Sequence, residues 1–300
     1  MRICITGATG MIGKKLTQFF LGSKHQVAVI TRQSSHRSFQ TNMIHWDPSL
    51  SFLKEEELNG FDAVIHLSGS SIGRRWTPEY KKEILDSRVQ STTLLCEALS
   101  KVAVKPKVLI CASAVGFYGP HSPRETLDEA SPSGTGFLAD VCRAWEQAVA
   151  PAVKAGIRVV HARFGLVLSQ TGGALAQMLP VFRWGLGGPL GDGQQAVSWV
   201  SLDEIPFVVE HLIRNEKIDG AVNVCSPQSV SNAEFTRMLG QALHRPAVLP
   251  VPAFAVNLLF GEMGQSLLLE GAKVNPKRLQ ESGYQFHYPD LKYVLSCLST

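Results

Sequence analysis

Near the N-terminus the residues ITGATGMIG set glycines at 7, 10 and 13. Chemistry at that spacing is done by backbone. One glycine allows a tight turn, a second lets the chain approach a diphosphate, and a third lets the next helix sit close to the preceding strand. The free N–H groups and partial positive charge of that helix N-terminus attract phosphate. Gly7, Thr9, Gly10, Met11, Ile12 and Gly13 are the candidate cradle. The next apolar run closes on Thr31-Arg32, and no Asp or Glu precedes Asp47. A carboxylate at that strand end would accept from the ribose hydroxyls of NAD; a guanidinium can grip the 2′-phosphate of NADP. The residues therefore predict NADP.

Other candidates close later apolar runs. Leu67, Ser68 and Gly69 follow DAVIH, Ala112-Ser113 closes KVLICAS, and Val167 follows the run ending at Phe164. On alternation Cys111 and Ser113 have nearly equal claims to face a site; Ser113 is preferred because it ends its run. Tyr118 is the nearest phenol, without an evident cation in the surrounding sequence. His66 and His161 lie inside strand-like runs and read as satisfied core histidines. In GRRWTPEY, Arg75 could hold a phosphate or carboxylate and Trp76 could stack on a ring, or the segment could be a lid packed shut. WGLGGPLGDGQ suits a mobile cover. Asp140 reads as a solvent-facing carboxylate and Asp203 as a helix cap.

These residues need a frame. Strands are expected at Arg2–Thr6, His25–Thr31, Met43–Trp46, Asp62–Leu67, Lys107–Ala112, Ile157–Phe164 and Ala221–Val224. Helices are expected at Met11–Leu21, Pro78–Val102, Phe137–Lys154, Asp203–Arg214 and Ser231–Leu243. Alternation of this kind, with near-continuous apolar strands, implies an α/β fold with a parallel sheet covered on both faces. Residues 1–165 form the expected cofactor domain. Residues 166–300 form a smaller, mostly helical lobe, with the strand near 221–224 returning to the main sheet and a distinct C-terminal segment over about 248–297.

Composition narrows the class. A 45% hydrophobic and 18% charged chain of 300 residues is ordinary for a globular protein. A net charge of +4 with scattered basic residues argues against nucleic acid. The cysteines at 4, 96, 111, 142, 225 and 297 form no C-x-x-C pair and no histidine cluster accompanies them, so no metal site is expected. Reduced cysteines, a chain that opens directly on a strand and no apolar run near 18 residues predict a cytoplasmic protein without a membrane span. A homodimer could form on the faces of the long helix, which could equally bury against the sheet.

TGATGMIG and DAVIHLSG resemble the extended short-chain dehydrogenase/reductases. The stretches RRWTPEYKKEILDSRVQST, SAVGFYG, FLADVCRAWE, RFGLVLSQTGGAL and FRWGLGGPLGDGQQAVSWVSLDE, with LEGAKVNPKRLQESGY, resemble more closely the atypical "epimerase family" group of the YfcH type. The resemblance spans essentially the whole chain. It implies a Rossmann-type doubly wound sheet, an NADP site with Glu83 and Arg88 as further contacts, and substrate contacts near Gln195 and Trp199. It also exposes a loss. The larger family works with Ser, Tyr and Lys, and here Phe137 and Val141 stand at the Tyr and Lys positions, while the serine position falls on Ala114 or, with one extra residue, on Ser113. Ser113 and Tyr118 are thus the remaining catalytic candidates. The expected function is an NADP-dependent oxidoreductase or epimerase acting on a small polar substrate such as a nucleotide sugar. The alternative is an NADP-binding regulatory protein with little turnover, as a cell-division-inhibitor label in the group implies.

Overall fold

The computed structural model describes residues 1–32 and 41–297. The strands are β1 (Arg2–Thr6), β2 (Gln26–Thr31), β3 (Asn42–Asp47), β4 (Phe52–Leu53), β5 (Ala63–His66), β6 (Val108–Ala114), β7 (Thr126–Leu127), β8 (Arg158–Phe164), β9 (Leu166–Leu168), β10 (Ala196–Val197), β11 (Trp199–Ser201), β12 (Gly220–Val224), β13 (Val230–Ser231) and β14 (Lys273–Val274). Eight form one sheet in the order β12-β8-β6-β5-β1-β2-β3-β4. Its pairings are parallel except β3 with β4. The chain builds outward from β1 on one side, then crosses to β5 on the other. Ligands of such sheets bind outside the carboxyl ends where the order reverses, here between β1 and β5.

The sheet is buried on both faces, which explains runs such as Ile3–Ile5 and Ala63–Ile65 with no exposure. Helix α1 (Met11–Gly22) follows β1, and α2 (Pro78–Lys101) follows β5. The hydroxyl of Thr77 caps α2 and Pro78 occupies its first turn, where a missing N–H costs nothing. The apolar residues Ile84, Leu95, Ala98 and Leu99 of α2 turn inward. The helix expected over Phe137–Lys154 is two: α3 (Phe137–Gln147) and α4 (Ala150–Lys154). Pro151 explains the break, since its nitrogen cannot donate to Gln147 and its ring crowds that carbonyl.

Beyond residue 165, β12 and α6 (Ile205–Arg214) still belong to the main layer, α6 burying Ile205, Val208, Val209 and Leu212 in the principal core. The smaller lobe comprises β9 with β11, β10 with β13, and the helices α5 (Gly173–Arg183), α7 (Asn232–Ala242), α8 (Ala253–Phe260), α9 (Glu262–Gly264) and α11 (Leu291–Ser296), while α10 (Lys277–Glu281) packs on β12 and buries Leu279 in the principal core. The lobe has its own core around Trp199, Phe182, Phe235 and Leu295. Asp203 does not cap α6. It pairs with Lys15 of α1, and Glu204 stands at the helix start without a side-chain cap. The buried Glu204 carboxylate instead accepts from Tyr284 Oη and from the backbone of His287 and Tyr288, fastening the C-terminal segment.

Candidate functional site

The corner after β1 has the geometry its glycines require. Gly7 lies at φ +68°, and a Cβ on it would stand 2.9 Å from the Leu67 carbonyl carbon. A Cβ on Gly13 would meet the Gly7 oxygen at 2.2 Å. The first contact brings the turns after β1 and β5 together; the second seats α1 on the strand end. Gly10 starts α1 with no side-chain cap and no acidic residue in the first turn. The amides of that turn are thus offered where a phosphate would need them. Thr9 and Gly10 are exposed, Met11 and Ile12 partly so. The β9–α5 connection closes over Met11, whose sulfur would lie 3.3 Å from a Cβ on Gly172, and Val167 is half-buried in β9 beside Val200.

Thr31 and Arg32 follow on the same carboxyl edge, because Thr6 pairs with Ile30. Arg32 is exposed, and its charge contributes, after the Ser49 hydrogen bonds, to holding the Asp47 carboxyl below its usual range. Leu67 and Ser68 are half-buried and Gly69 is exposed. Arg88 supports this loop from beneath. Its guanidinium donates to the carbonyls of Ser70 and Ile84 at 3.0 Å and lies 5.1 Å from the Trp145 ring centre. Glu83 is exposed on α2.

The seam between β6, β8 and α3 departs from expectation. Ser113 is buried and donates to Glu146 Oε1 at 2.7 Å. Glu146 also receives Arg163 in a forked pair, both bonds 2.8 Å. Arg163 Nη1 then donates to Tyr118 Oη at 3.0 Å, and that hydroxyl donates to Asn223 Oδ1 at 2.8 Å. Burial and, against it, the Glu146 contacts act on Arg163; the carboxylate wins and the guanidinium is held above its ordinary range. Burial likewise pushes the Tyr118 phenol up, outweighing Arg163. Tyr118 therefore does have a cation beside it, supplied from β8, but it has no exposure and both hydroxyl functions are engaged. That takes it out of the candidate acid–base set. Ser113 turns inward onto Glu146, while Ala112 is buried and Ala114, next along, is half-buried.

At the head of α3, Phe137 meets Trp76 edge-on at 5.0 Å, and Lys81 Nζ sits 4.5 Å from its ring centre. Val141 is buried against Trp76, Ile84 and Met263. Trp76 is itself buried, its indole donating to the Ile72 carbonyl, so GRRWTPEY packs shut rather than offering a stacking face. Lys81 pairs with Glu262 at 2.7 Å, and Arg75 lies over Gly261. Asp140 is exposed and pairs with Arg143.

The remaining candidates divide. Trp199 is fully buried and its indole donates to the Gln228 carbonyl at 2.8 Å, so it serves the smaller core. Gln195 donates to the carbonyls of Leu190 and Leu268, while its buried Oε1 has no hydrogen-bond partner among the described residues. The glycine-rich loop is stitched down rather than free: Leu249 and Val251 donate to Gly187 and Pro189, and a Cβ on Gly188 would strike the Leu249 oxygen at 1.6 Å. His66 is satisfied between Thr6 and Thr92, and burial lowers its pKa to about 3. His161 is not satisfied, because its buried Nδ1 lacks a partner among the described residues. None of the six cysteines is in a disulfide, and among the described residues no His/Cys/Asp/Glu group is placed to hold a metal.

Residues 3–225 match the NAD dependent epimerase/dehydratase family, and residues 251–297 match a domain of unknown function, DUF1731. The chain belongs to the NAD dependent epimerase/dehydratase family. It is 40% identical to the epimerase family protein SDR39U1 homolog, chloroplastic, of Arabidopsis thaliana, covering 99% of this chain and 86% of that protein. It is 35% identical to the epimerase family protein YfhF of Bacillus subtilis over 99% of this chain and 98% of that one. The crystal structure of human SDR39U1 with NADPH superposes with a TM-score of 0.91 at 34% identity, covering 100% of this chain and 99% of that chain. A nucleoside-diphosphate sugar epimerase from Corynebacterium glutamicum gives a TM-score of 0.80 at 31% identity over 99% of this chain and 57% of that chain.

For this epimerase-family chain, sequence reasoning missed Glu146, Arg163 and Asn223. The signal existed in RAWE and ARF, charged residues inside otherwise apolar elements. A charge in such a run must be paired or exposed, but its partner lies on another element. Among the described residues no helix is long and apolar enough to cross a membrane.

Proposed function

We propose that this chain binds NADP(H), with the diphosphate over Gly7–Gly13 and the 2′-phosphate on Arg32. The observation that carries the reading is the uncapped, glycine-walled start of α1 facing the β1–β5 crevice. The NADPH-bound human relative supports it. Thr31, Leu67, Ser68, Gly69, Ala112 and Val167 border the same edge, and Arg88 positions the 68–70 turn. When bound, the nicotinamide would donate or accept hydride. The chain's part is to bind and orient a small polar substrate, for which a nucleotide sugar is the first class to try, given the Corynebacterium relative. A second reading, cofactor binding with little turnover, is favoured by one observation: Ser113 and Tyr118 both spend their hydroxyls inside the protein. Lys81, beside Phe137, is the first group to replace when seeking a proton carrier. Six cysteines outside disulfides support a reducing, cytoplasmic compartment, which fractionation checks.

Thermal shift with NADPH and NADH tests the core of this. NADPH should stabilise more, and Arg32→Asp should reverse the order. Equal shifts in the wild type overturn the role of Arg32. NADPH oxidation across carbonyl compounds and nucleotide sugars then separates the readings: turnover lost in Lys81→Met supports the first, and no turnover with intact binding supports the second.

A further inference from the structure

GRRWTPEY holds a cation that nothing inside the protein engages. Trp76 is buried and the Tyr80 hydroxyl donates to the Ser71 carbonyl, so the segment itself is fixed. Arg75 is exposed, and among the described residues its guanidinium meets neither a carboxylate nor a carbonyl. It lies beside Gly261, where an added Cβ would stand 3.7 Å from its Nε. Lys81, in the first turn of α2, reaches the next residue of the same segment. Its Nζ pairs with Glu262 Oε1 at 2.7 Å and stands 4.5 Å from the Phe137 ring centre. Other carboxylates of α2 are engaged elsewhere, Glu79 with the Thr77 hydroxyl and Asp86 with Lys82. Arg74 is exposed too, 6.0 Å from the Tyr80 ring centre and without a carboxylate among the described residues. Glu262 thus sets one negative charge against those of Arg74, Arg75 and Lys81.

Helices α2 and α3 follow β5 and β6, so both begin on the carboxyl side of the sheet, where ligands of this fold bind. Behind the cations the wall is apolar, with Trp76, Phe137, Met263 and Leu267 in one cluster. Water screens less beside such a wall, so an anion is held more strongly there than at an open surface. A guanidinium with an ammonium nearby suits an oxyanion, the first by its planar fork and the second as a point charge. Glu262 already shows that chemistry, since its carboxylate rests on Lys81. The pair is open, with side-chain exposures of 30% and 48%, and an ion pair of that kind contributes little. An anion that reaches Lys81 and Arg75 together should displace it. Glu262 also has room to leave. It follows Gly261 at φ +60°, where the backbone rather than crowding calls for glycine, because an added Cβ would meet only ordinary contacts. Before Gly261, α8 leaves Phe254 and Leu258 exposed, so its outer face pins nothing.

We propose that Arg75 and Lys81 form a subsite for the oxyanion of a ligand, a carboxylate or a phosphate, and that Glu262 fills it as an internal stand-in until the ligand arrives. That this ligand is the substrate rests on the crevice reading above; the anion site itself does not. Arg75, which the cofactor reading leaves unused, is the cleanest lever. The probes are inorganic phosphate and malonate, titrated calorimetrically into the full chain at constant ionic strength. Glu262→Gln should bind at least one of them about fivefold more tightly than the wild type, and which one gains tells which oxyanion fits. Adding Arg75→Met should remove the gain. Glu262 and Arg75 are both exposed, so both variants should keep the wild-type circular dichroism. In the wild type the anion that binds should speed hydrogen exchange over residues 262–269, and sodium chloride of equal ionic strength should not. No binding of either anion by Glu262→Gln, affinities equal to the wild type, a gain that survives Arg75→Met, or a chloride effect as large as the anion's overturns the proposal. A wild-type chain without an NADPH thermal shift would sink the cofactor reading and leave this result standing.

Discussion

The corner after β1 and the seam joining β6, β8 and α3 share one carboxyl edge of one sheet, and they are made of different materials. The corner presents glycines and backbone amides, with no titratable side chain in Gly7–Gly13. The seam presents a serine, a glutamate, an arginine, a tyrosine and an asparagine drawn from α3, β6, β8, β12 and the turn after β6. In the corner the first-turn amides of α1 have no side-chain cap, and Thr9 and Gly10 are exposed. In the seam every polar group is turned on another. The lesson is that one sheet edge can leave backbone groups open in one place while its side chains close on one another in the next, because a buried polar group becomes an anchor once partners close around it.

The seam gives the largest test of that contrast. Arg163→Met strands the Glu146 carboxylate and should cost about 3–5 kcal/mol in denaturant unfolding. A loss below about 1 kcal/mol would mean the pair is not the anchor claimed. The corner should respond differently. Gly13→Ala forces a Cβ against the Gly7 oxygen, so it should cost about 1–3 kcal/mol and also erase the thermal shift given by NADPH. Were the shift to persist, the diphosphate would have to sit elsewhere.

Tyr118→Phe sharpens the contrast further. It leaves Asn223 Oδ1 and Arg163 Nη1 each short of one hydrogen bond, and about 1–3 kcal/mol should be lost while the NADPH shift stays as in the wild type. A catalytic Tyr118 would instead show intact stability and lost turnover. A pH-dependent effect lies between the two regions, at His66, which links β1 to α2. Its folded pKa, about 3, is below the ordinary 6.5 because burial disfavours the charged ring. The unfolded chain therefore binds the extra proton first, and stability falls as pH drops from 6.5 toward 3. The slope is at most about 1.4 kcal/mol per pH unit and should vanish in His66→Gln. Denaturant midpoints in acid buffers measure it.

The legibility of these regions follows from range. Strand–turn–helix alternation is local, and Arg2–Thr6, Met11–Leu21 and Pro78–Val102 were readable to within a residue or two. A glycine forced by a close backbone approach is also readable when its partner lies a few residues away, as Gly13 with Gly7. WGLGGPLGDGQ reads as a mobile cover because the segment that fastens it, through Leu249 against Gly188, comes from far along the chain. Tyr118 seemed without a cation for the same reason, since Arg163 arrives from β8. Pro151 could have split the helix on sequence alone; the apolar periodicity through it concealed the break.

By itself, then, the sequence determined the alternating α/β order, the glycine spacing of the corner after β1, the arginine that follows β2, and a phenylalanine and a valine, neither able to carry a proton, at positions 137 and 141 of α3. These depend on neighbours within a turn or a strand. Only the tertiary structure decided which hydroxyls face a ligand and which face one another, that Trp76 and the glycine-rich loop are fastened, and that α8 stands uncovered. Burial and pairing are properties of surfaces brought together from far along the chain, and side-chain periodicity says which face is apolar without saying what will cover it.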